Sequence, residues 1–220
     1  MLFRYLLAAA LMLGSAAHAL TREEAAAIAS GDTEERVAAL NKAVAGADEK
    51  TAAFIHAMQD DAVKFKDGQV FVIKDDKAFD PVSGAELKLP DDAEDVVNNN
   101  LMRGALDAAQ AALQLSSKDD AVRAAAAQAL FKEPDESRVA LVEKALAAET
   151  NPKIKAQLEL VRAAGLLSSS DKAKRLAAAT ELGSNRNPET KLLLNQRLAD
   201  ETEADVKTAI QASVQSIGAS

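Results

Sequence analysis

The apolar and polar positions of the chain follow a helical pattern at first. One stretch over about residues 22–30 has helical spacing, and a second opens at Asp32 with Leu40 and Val44 on one face. A third stretch covers about residues 48–60. Apolar residues three and four positions apart mark one face of a helix, so three helices are predicted here.

The period then shortens to two. Residues 63–66 and 69–73 alternate as strands do, and the Asp67-Gly68 pair between them is a strong signal for a tight hairpin turn. Residues 86–89 can add a third strand. The sequence therefore predicts a small β-hairpin insert at about residues 62–89.

Helical spacing resumes near Asp92, continues to Leu115 and then becomes self-similar. Residues 52 positions apart match in type, among them Asp119 and Asp171, Arg123 and Arg175, Leu130 and Leu182, Glu149-Thr150 and Glu201-Thr202, and Leu158 and Ile210. Each unit holds three predicted helices. Repeats of this length are typical of HEAT or armadillo-like solenoids, in which stacked units share one core.

One motif, Asp-x-x-x-Arg-x-Ala-Ala, opens a predicted helix three times. Its charged residues are Asp32 and Arg36, Asp119 and Arg123, and Asp171 and Arg175. An aspartate can cap a helix N-terminus, and an arginine four residues later can reach a carboxylate on the same face. We expect helix caps and inter-repeat ion pairs. A recognition ladder on a concave face is the alternative.

The predicted fold is all-α, a HEAT/armadillo-like helical-repeat solenoid carrying the β insert. The predicted segments are a signal peptide at 1–19, an N-terminal helical repeat at 20–61, the β insert at 62–90 and a helical repeat array at 91–220. Asn98, Asn99 and Asn100 disfavour a helix interior because their side chains compete for backbone hydrogen bonds. They mark a junction, and Asn98 and Asn99 are a candidate interaction site there.

The first residues have the order of a secretory signal peptide. Arg4 supplies a positive charge, residues 6–13 are continuously apolar, and Ala17-His18-Ala19 provides small residues for cleavage. Cleavage is expected between Ala19 and Leu20, which predicts a periplasmic protein. A membrane anchor is the alternative, but this apolar run covers only about 12 Å of a hydrocarbon core of about 30 Å.

Charge and composition exclude several function classes. The chain has 26 Lys and Arg against 34 Asp and Glu, and an acidic surface repels nucleic acid and anionic lipid alike. Cysteine is absent, and His56 is the single histidine after the expected cleavage site. A nucleophile–base pair or a zinc site therefore lacks the side chains it needs.

Other chemistries also lack their motifs. Acidic pairs such as Asp75-Asp76 do not follow the alternating pattern of a calcium loop, and the chain has no glycine-rich phosphate loop. Sugar hydrolysis leans on tryptophan and tyrosine platforms, which are missing after residue 19. We therefore expect a non-catalytic domain with no cofactor, no metal and no nucleic-acid partner.

A longer ordered combination of motifs resembles a known family. It comprises Asp67-Gly68, Asp80-Pro81-Val82-Ser83-Gly84, Glu94-Asp95-Val96-Val97-Asn98-Asn99 and Asp120-Ala121-Val122-Arg123. This order resembles the N-terminal extracytoplasmic region of the urea ABC-transporter permease subunit, of the branched-chain amino acid-type permease family. The resemblance covers the whole chain. Asn100 and Met102 depart from it, because basic residues are usual there.

The resemblance implies a non-catalytic periplasmic interaction domain of a urea-type importer, which contacts the solute-binding protein or stabilises the transporter. The implied partners are the membrane subunits and that binding protein. Family members continue into a membrane-spanning domain, so the chain is expected to be the soluble part of a longer inner-membrane permease, a truncated or split product, or a stand-alone relative. A stand-alone periplasmic HEAT-repeat scaffold or assembly factor is the alternative.

Overall fold

The computed structural model describes residues 19–218, and the predicted signal segment before Ala19 lies outside the described residues. The described chain is mostly helical with a small antiparallel sheet, as predicted. The helices are α1 (Arg22–Ala29), α2 (Thr33–Ala45), α3 (Glu49–Gln59), α4 (Asn100–Gln114), α5 (Asp120–Lys132), α6 (Val139–Ala148), α7 (Pro152–Leu166), α8 (Lys172–Leu182), α9 (Pro188–Asp200) and α10 (Ala204–Gly218). A 3-10 turn (Glu136–Arg138) precedes α6.

Polar side chains begin most of these helices. Each accepts a hydrogen bond from a backbone N–H in the first turn, which would otherwise lack a partner. The capping residues are Thr21, Asp32, Asp48, Asn99, Asp119, Asn151, Asp171 and Asn187. Proline follows the cap in α7 and α9, where its missing N–H costs nothing.

The helices after α1 form three units with the same internal contacts. The units are α2–α3–α4, α5–α6–α7 and α8–α9–α10, and in each the third helix packs against the other two. The third helix of one unit also packs against the first helix of the next, α4 on α5 and α7 on α8. The 52-residue repeat therefore corresponds to a three-helix packing arrangement that occurs in the second and third units. The first unit has the same arrangement.

The sheet lies inside the first unit, between its second and third helices. Its strands are β1 (Val63–Lys66), β2 (Gln69–Lys74), β3 (Lys77–Phe79), β4 (Glu86–Leu87) and β5 (Glu94–Asp95), in the antiparallel order β4-β3-β2-β1-β5. Asp67 and Gly68 both have positive φ, 48° and 80°, as a tight hairpin turn requires. The insert thus interrupts one unit and does not separate two.

The structure differs from the prediction that helix resumes near Asp92. Residues Glu94–Asp95 instead form β5 at the sheet edge beside β1, and α4 begins only at Asn100. Lys64 Nζ lies 2.8 Å from Asp95 Oδ1, and the Val96 N–H donates to the Val63 carbonyl. These contacts hold the segment extended, and the insert reaches beyond the predicted limits of 62–90.

Within residues 19–218, two apolar clusters form the core. The larger joins α1–α7 with the inner face of the sheet, including buried Phe54, Met58 and Leu106. The smaller lies between the end of α7 and helices α8–α10, around Leu182 and Ile210. Leu20, the first residue after the predicted cleavage site, is buried in the larger cluster.

Candidate functional site

The second and third units each contain a buried arginine–glutamate pair, which we call a clasp. Arg123 donates to Glu149 through Nε and Nη2 at 2.8 and 3.0 Å, and Arg175 donates to Glu201 at 2.9 and 3.2 Å. Both glutamate side chains are 1 % exposed. Each clasp ties the start of the unit's first helix to the segment before its third helix, so it closes the unit.

The pKa shifts follow this geometry. Hydrogen bonds from Arg123 hold the pKa of Glu149 at about 2, against an ordinary value of 4.5. Burial alone would raise the pKa of Glu201, but hydrogen bonds from Arg175 and from backbone N–H groups outweigh burial and lower it. The hydrogen bonds to Glu149 and Glu201 in turn raise the pKa of each arginine. Both pairs are therefore ionised at neutral pH.

The six residues of the predicted motif lie at three equivalent helix starts. Asp32, Asp119 and Asp171 each accept a hydrogen bond from a backbone N–H at 2.8–2.9 Å, as caps do. Arg123 and Arg175 lie in the clasps. Their principal partners are glutamates 26 residues later in the same unit, so these ion pairs close units and do not link one repeat to the next.

Arg36 departs from the expected ion pair. Its guanidinium is buried and donates to three uncharged oxygens: the Ile28 carbonyl at 2.8 Å, the Val97 carbonyl at 2.9 Å and the Asn98 side chain at 2.6 Å. Among residues 19–218 no carboxylate lies within the 4.0 Å of an ion pair to it. Burial without a counter-charge lowers the pKa of Arg36.

The asparagine junction is held by internal hydrogen bonds. Asn98 is buried, accepts from Arg36 and donates to the Met58 carbonyl at 3.0 Å. Asn99 caps α4 and donates from its side-chain amide to Thr33 Oγ1 at 2.8 Å. These two residues therefore join α2, α3 and α4 in place of a clasp. Asn98 is buried and Asn99 is exposed, and the side chains of both are engaged in these internal hydrogen bonds. A binding role for Asn98 and Asn99 stays a prediction.

An open groove runs along α6. Its apolar part, about 270 Å³, lies between the C-terminal ends of α2 and α4 and the face of α6 that carries Leu141 and Ala145. It continues past Leu115 and Ala148 into a polar hollow of about 470 Å³. The Arg123–Glu149 clasp lines that hollow together with other polar groups. We call the two parts together the α6 groove.

The third unit has a smaller counterpart of the apolar part. The residues on α9 that line it are Leu193, Gln196, Arg197 and Asp200, each 52 positions after Leu141, Lys144, Ala145 and Ala148 on α6. This cavity measures about 160 Å³. An arginine and an aspartate thus stand where the second unit has two alanines, and their larger side chains leave less space.

Other candidate residues lie apart from the groove. His56 is exposed on α3, with Nε2 at 3.7 Å from Asp60. Asp80 belongs to the turn at residues 80–84 and accepts hydrogen bonds from the backbone N–H groups of Val82 and Ser83. Its Oδ2 atom lies 3.3 Å from Arg22 Nη2. Across residues 19–218, no three acidic or histidine side chains are grouped so that they could hold a metal ion. The same residues include no helix with the length and apolarity to span a bilayer.

Sequence reasoning missed the groove and the role of Glu149 and Glu201. The repeat had already aligned these two glutamates, which was the available signal. Their contact with the arginines depends on how the three helices of each unit pack together, which the sequence alone does not show. Comparison of the chain with protein-family models, with curated proteins and with solved structures finds no match.

Proposed function

We propose that this chain is a non-catalytic, periplasmic protein-interaction domain of a urea-type ABC importer. In this proposal its units stack as in HEAT or armadillo-like solenoids, and it contacts the solute-binding protein or stabilises the transporter's outer face. The observation that supports an interaction role is the repeated unit itself. In the second and third units the recurrent arginine is engaged in a clasp, and an open groove remains along α6.

The assignment to a urea importer rests on the family-like motifs. In the structure these residues have structural roles. Asp67-Gly68 forms a hairpin turn, Asp80 accepts hydrogen bonds within its loop, and Asn98 and Asn99 join three helices. Such positions are restricted in residue type because few side chains can replace their hydrogen bonds. A resemblance at these positions therefore bears on the fold of the family, and the partner remains the proposed part.

Co-purification tests the partner. The full chain, tagged at its C-terminus and expressed in its native host, should retain the urea-importer permease and the urea-binding protein in mild detergent. An untagged strain and a tagged, unrelated periplasmic protein are the controls. Recovery of the chain without any importer component would contradict the proposal and favour the stand-alone scaffold.

The proposed location has its own test. Mass spectrometry of the N-terminus should find Leu20 as the first residue of the periplasmic form, because Ala17 and Ala19 provide the small side chains of the cleavage site. Ala19→Leu should leave the chain uncleaved, while the neighbouring exchange His18→Gln should not. Detection of uncleaved wild-type chain in the cytoplasm alone would overturn this part.

A further inference from the structure

The α6 groove is formed by small side chains at its rim and centre. Ala145 and Ala148 lie on α6 one turn apart, and Gly46 and Ala47 lie opposite them at the end of α2. In the equivalent cavity of the third unit, Arg197 and Asp200 occupy the two α6 positions. The same packing thus exists with larger side chains and a smaller cavity, so the helices do not need the alanines to pack.

The size of the apolar part limits what it can hold. Ligand pockets for drug-sized molecules measure about 300–1,000 Å³ and enclose most of the ligand. A cavity of about 270 Å³ that is open to solvent is at or below that range. Its walls are aliphatic, with Val44, Leu113 and Leu141. It is suited to an apolar side chain projecting from a longer segment, as an anchor residue does at a protein interface.

The charges around the groove differ from those of the whole chain. The protein carries a formal net charge of −8, yet the two parts of the groove include Lys144, Lys118 and Arg123 against Asp120 and Glu149. The two carboxylates are already engaged by Arg123. Within residues 19–218 neither lysine has a carboxylate at ion-pair distance. An acidic protein thus presents two unpaired cations beside an apolar cavity.

We propose that the α6 groove binds an acidic, apolar segment of a protein partner. One aliphatic or aromatic side chain of that segment enters the cavity between α2, α4 and α6, and flanking Asp or Glu side chains meet Lys144 and Lys118. Complementary charge at the rim sets orientation and speeds association, while the buried anchor supplies affinity. The inference rests on the proposed function only in taking the partner to be a protein.

Peptide selection on the full chain tests this directly. Short random peptides displayed on phage are selected on the wild-type protein, and the enriched sequence is synthesised with a fluorescent label. We expect enriched sequences that combine acidic residues with a large apolar one. Fluorescence anisotropy should show affinity that falls with added salt, because exposed charges are screened. Enriched peptides without acidic residues, or no enrichment, would overturn the proposal.

Variants of the groove locate the binding. Ala145→Arg copies the third unit and fills the cavity, and the affinity for the enriched peptide should fall by about tenfold or more, as for loss of an interface anchor. Ala147→Arg, on the exposed side of the same helix, is the matched control and should bind as wild type does. Equal binding by the two variants would place the peptide elsewhere and refute the groove.

The lysines have a parallel test. Lys144→Glu and Lys118→Glu should each weaken binding and reduce its salt dependence, while Lys155→Glu, at an exposed position on α7, should not. The co-purification experiment separates the two proposals. If wild type retains the importer components but Ala145→Arg binds the selected peptide as wild type does, the groove inference fails and the proposed function stands. If wild type binds selected peptides but no importer component, the reverse holds.

Discussion

The first and third units compensate the charge of a buried arginine in different ways. Both bury an arginine at the same helix position, but Arg175 faces the carboxylate of Glu201, whereas Arg36 faces two carbonyls and an asparagine. A buried charge is costly unless its surroundings compensate for it, and either arrangement can do so. In both units the arginine donates to buried oxygens of other segments, whereas only the third unit provides a carboxylate as the counter-charge.

The largest effect should come from breaking a charged clasp. Arg175→Met leaves Glu201 buried with its strongest partner removed, and we expect a loss of about 3 kcal/mol in unfolding free energy. Arg197, 3.9 Å from the same carboxylate, offers only a distant substitute. Arg36→Met leaves no buried charge, so its loss should be smaller. Urea denaturation of both variants checks this order, and a larger loss for Arg36→Met would contradict it.

The uncharged junction should come next. Asn98→Ala removes the acceptor of one Arg36 hydrogen bond and the donor to the Met58 carbonyl, and both are buried. Leaving such groups unsatisfied costs about 2 kcal/mol. Asn99→Ala, which loses an exposed cap, is the matched comparison and should cost about 1 kcal/mol. Equal losses in urea denaturation would mean that burial of Asn98 contributes nothing.

A pH-dependent effect tests the clasp of the second unit. Glu149 has a folded pKa of about 2, below its ordinary 4.5, so its ionised form stabilises the fold above about pH 4.5 and loses that contribution as the pH falls toward 2. Glu149→Gln resembles the protonated form. The stability difference between wild type and Glu149→Gln should therefore be largest near neutral pH and shrink as acid is added. A difference that stays constant with pH would refute the ionic clasp.

The smallest effect should come from the shared caps. Asp119→Ala and Asp171→Ala each remove one side-chain hydrogen bond to an exposed helix N-terminus, and each should cost about 1 kcal/mol or less. Asp119→Asn keeps the cap and should restore most of the loss. Thermal unfolding measures both, and failure of the asparagine to restore stability would point to charge in place of capping.

The sequence predicted the elements whose signals are local. Asp32, Asp119 and Asp171 start helices because capping depends on neighbouring N–H groups, and the Asp67-Gly68 hairpin follows from turn geometry. Strand β5 could not be predicted, because two exposed residues carry no alternation and pair only once β1 is beside them. Strand pairing of this kind is set by the fold.

The candidate site was harder to predict than the fold. A groove is defined by residues from three helices, and Val44, Leu113 and Ala145 are far apart in the sequence. The repeat nevertheless indicates why the groove is open, since the small Ala145 aligns with the larger Arg197 at the interval of 52. The significance of that exchange becomes visible only when both positions are seen to line equivalent cavities.

The position of the sheet inside the first unit has a consequence for how the chain folds. The contact that closes the second or third unit spans 26 residues, whereas the bond from Arg36 to Asn98 spans 62. Each doubling of a flexible loop adds only about 0.6 kcal/mol of closure entropy, but long-range contacts slow folding more than they cost in stability. We therefore expect the C-terminal units to form from nearby segments, and the first unit to close after its hairpins have shortened the effective loop.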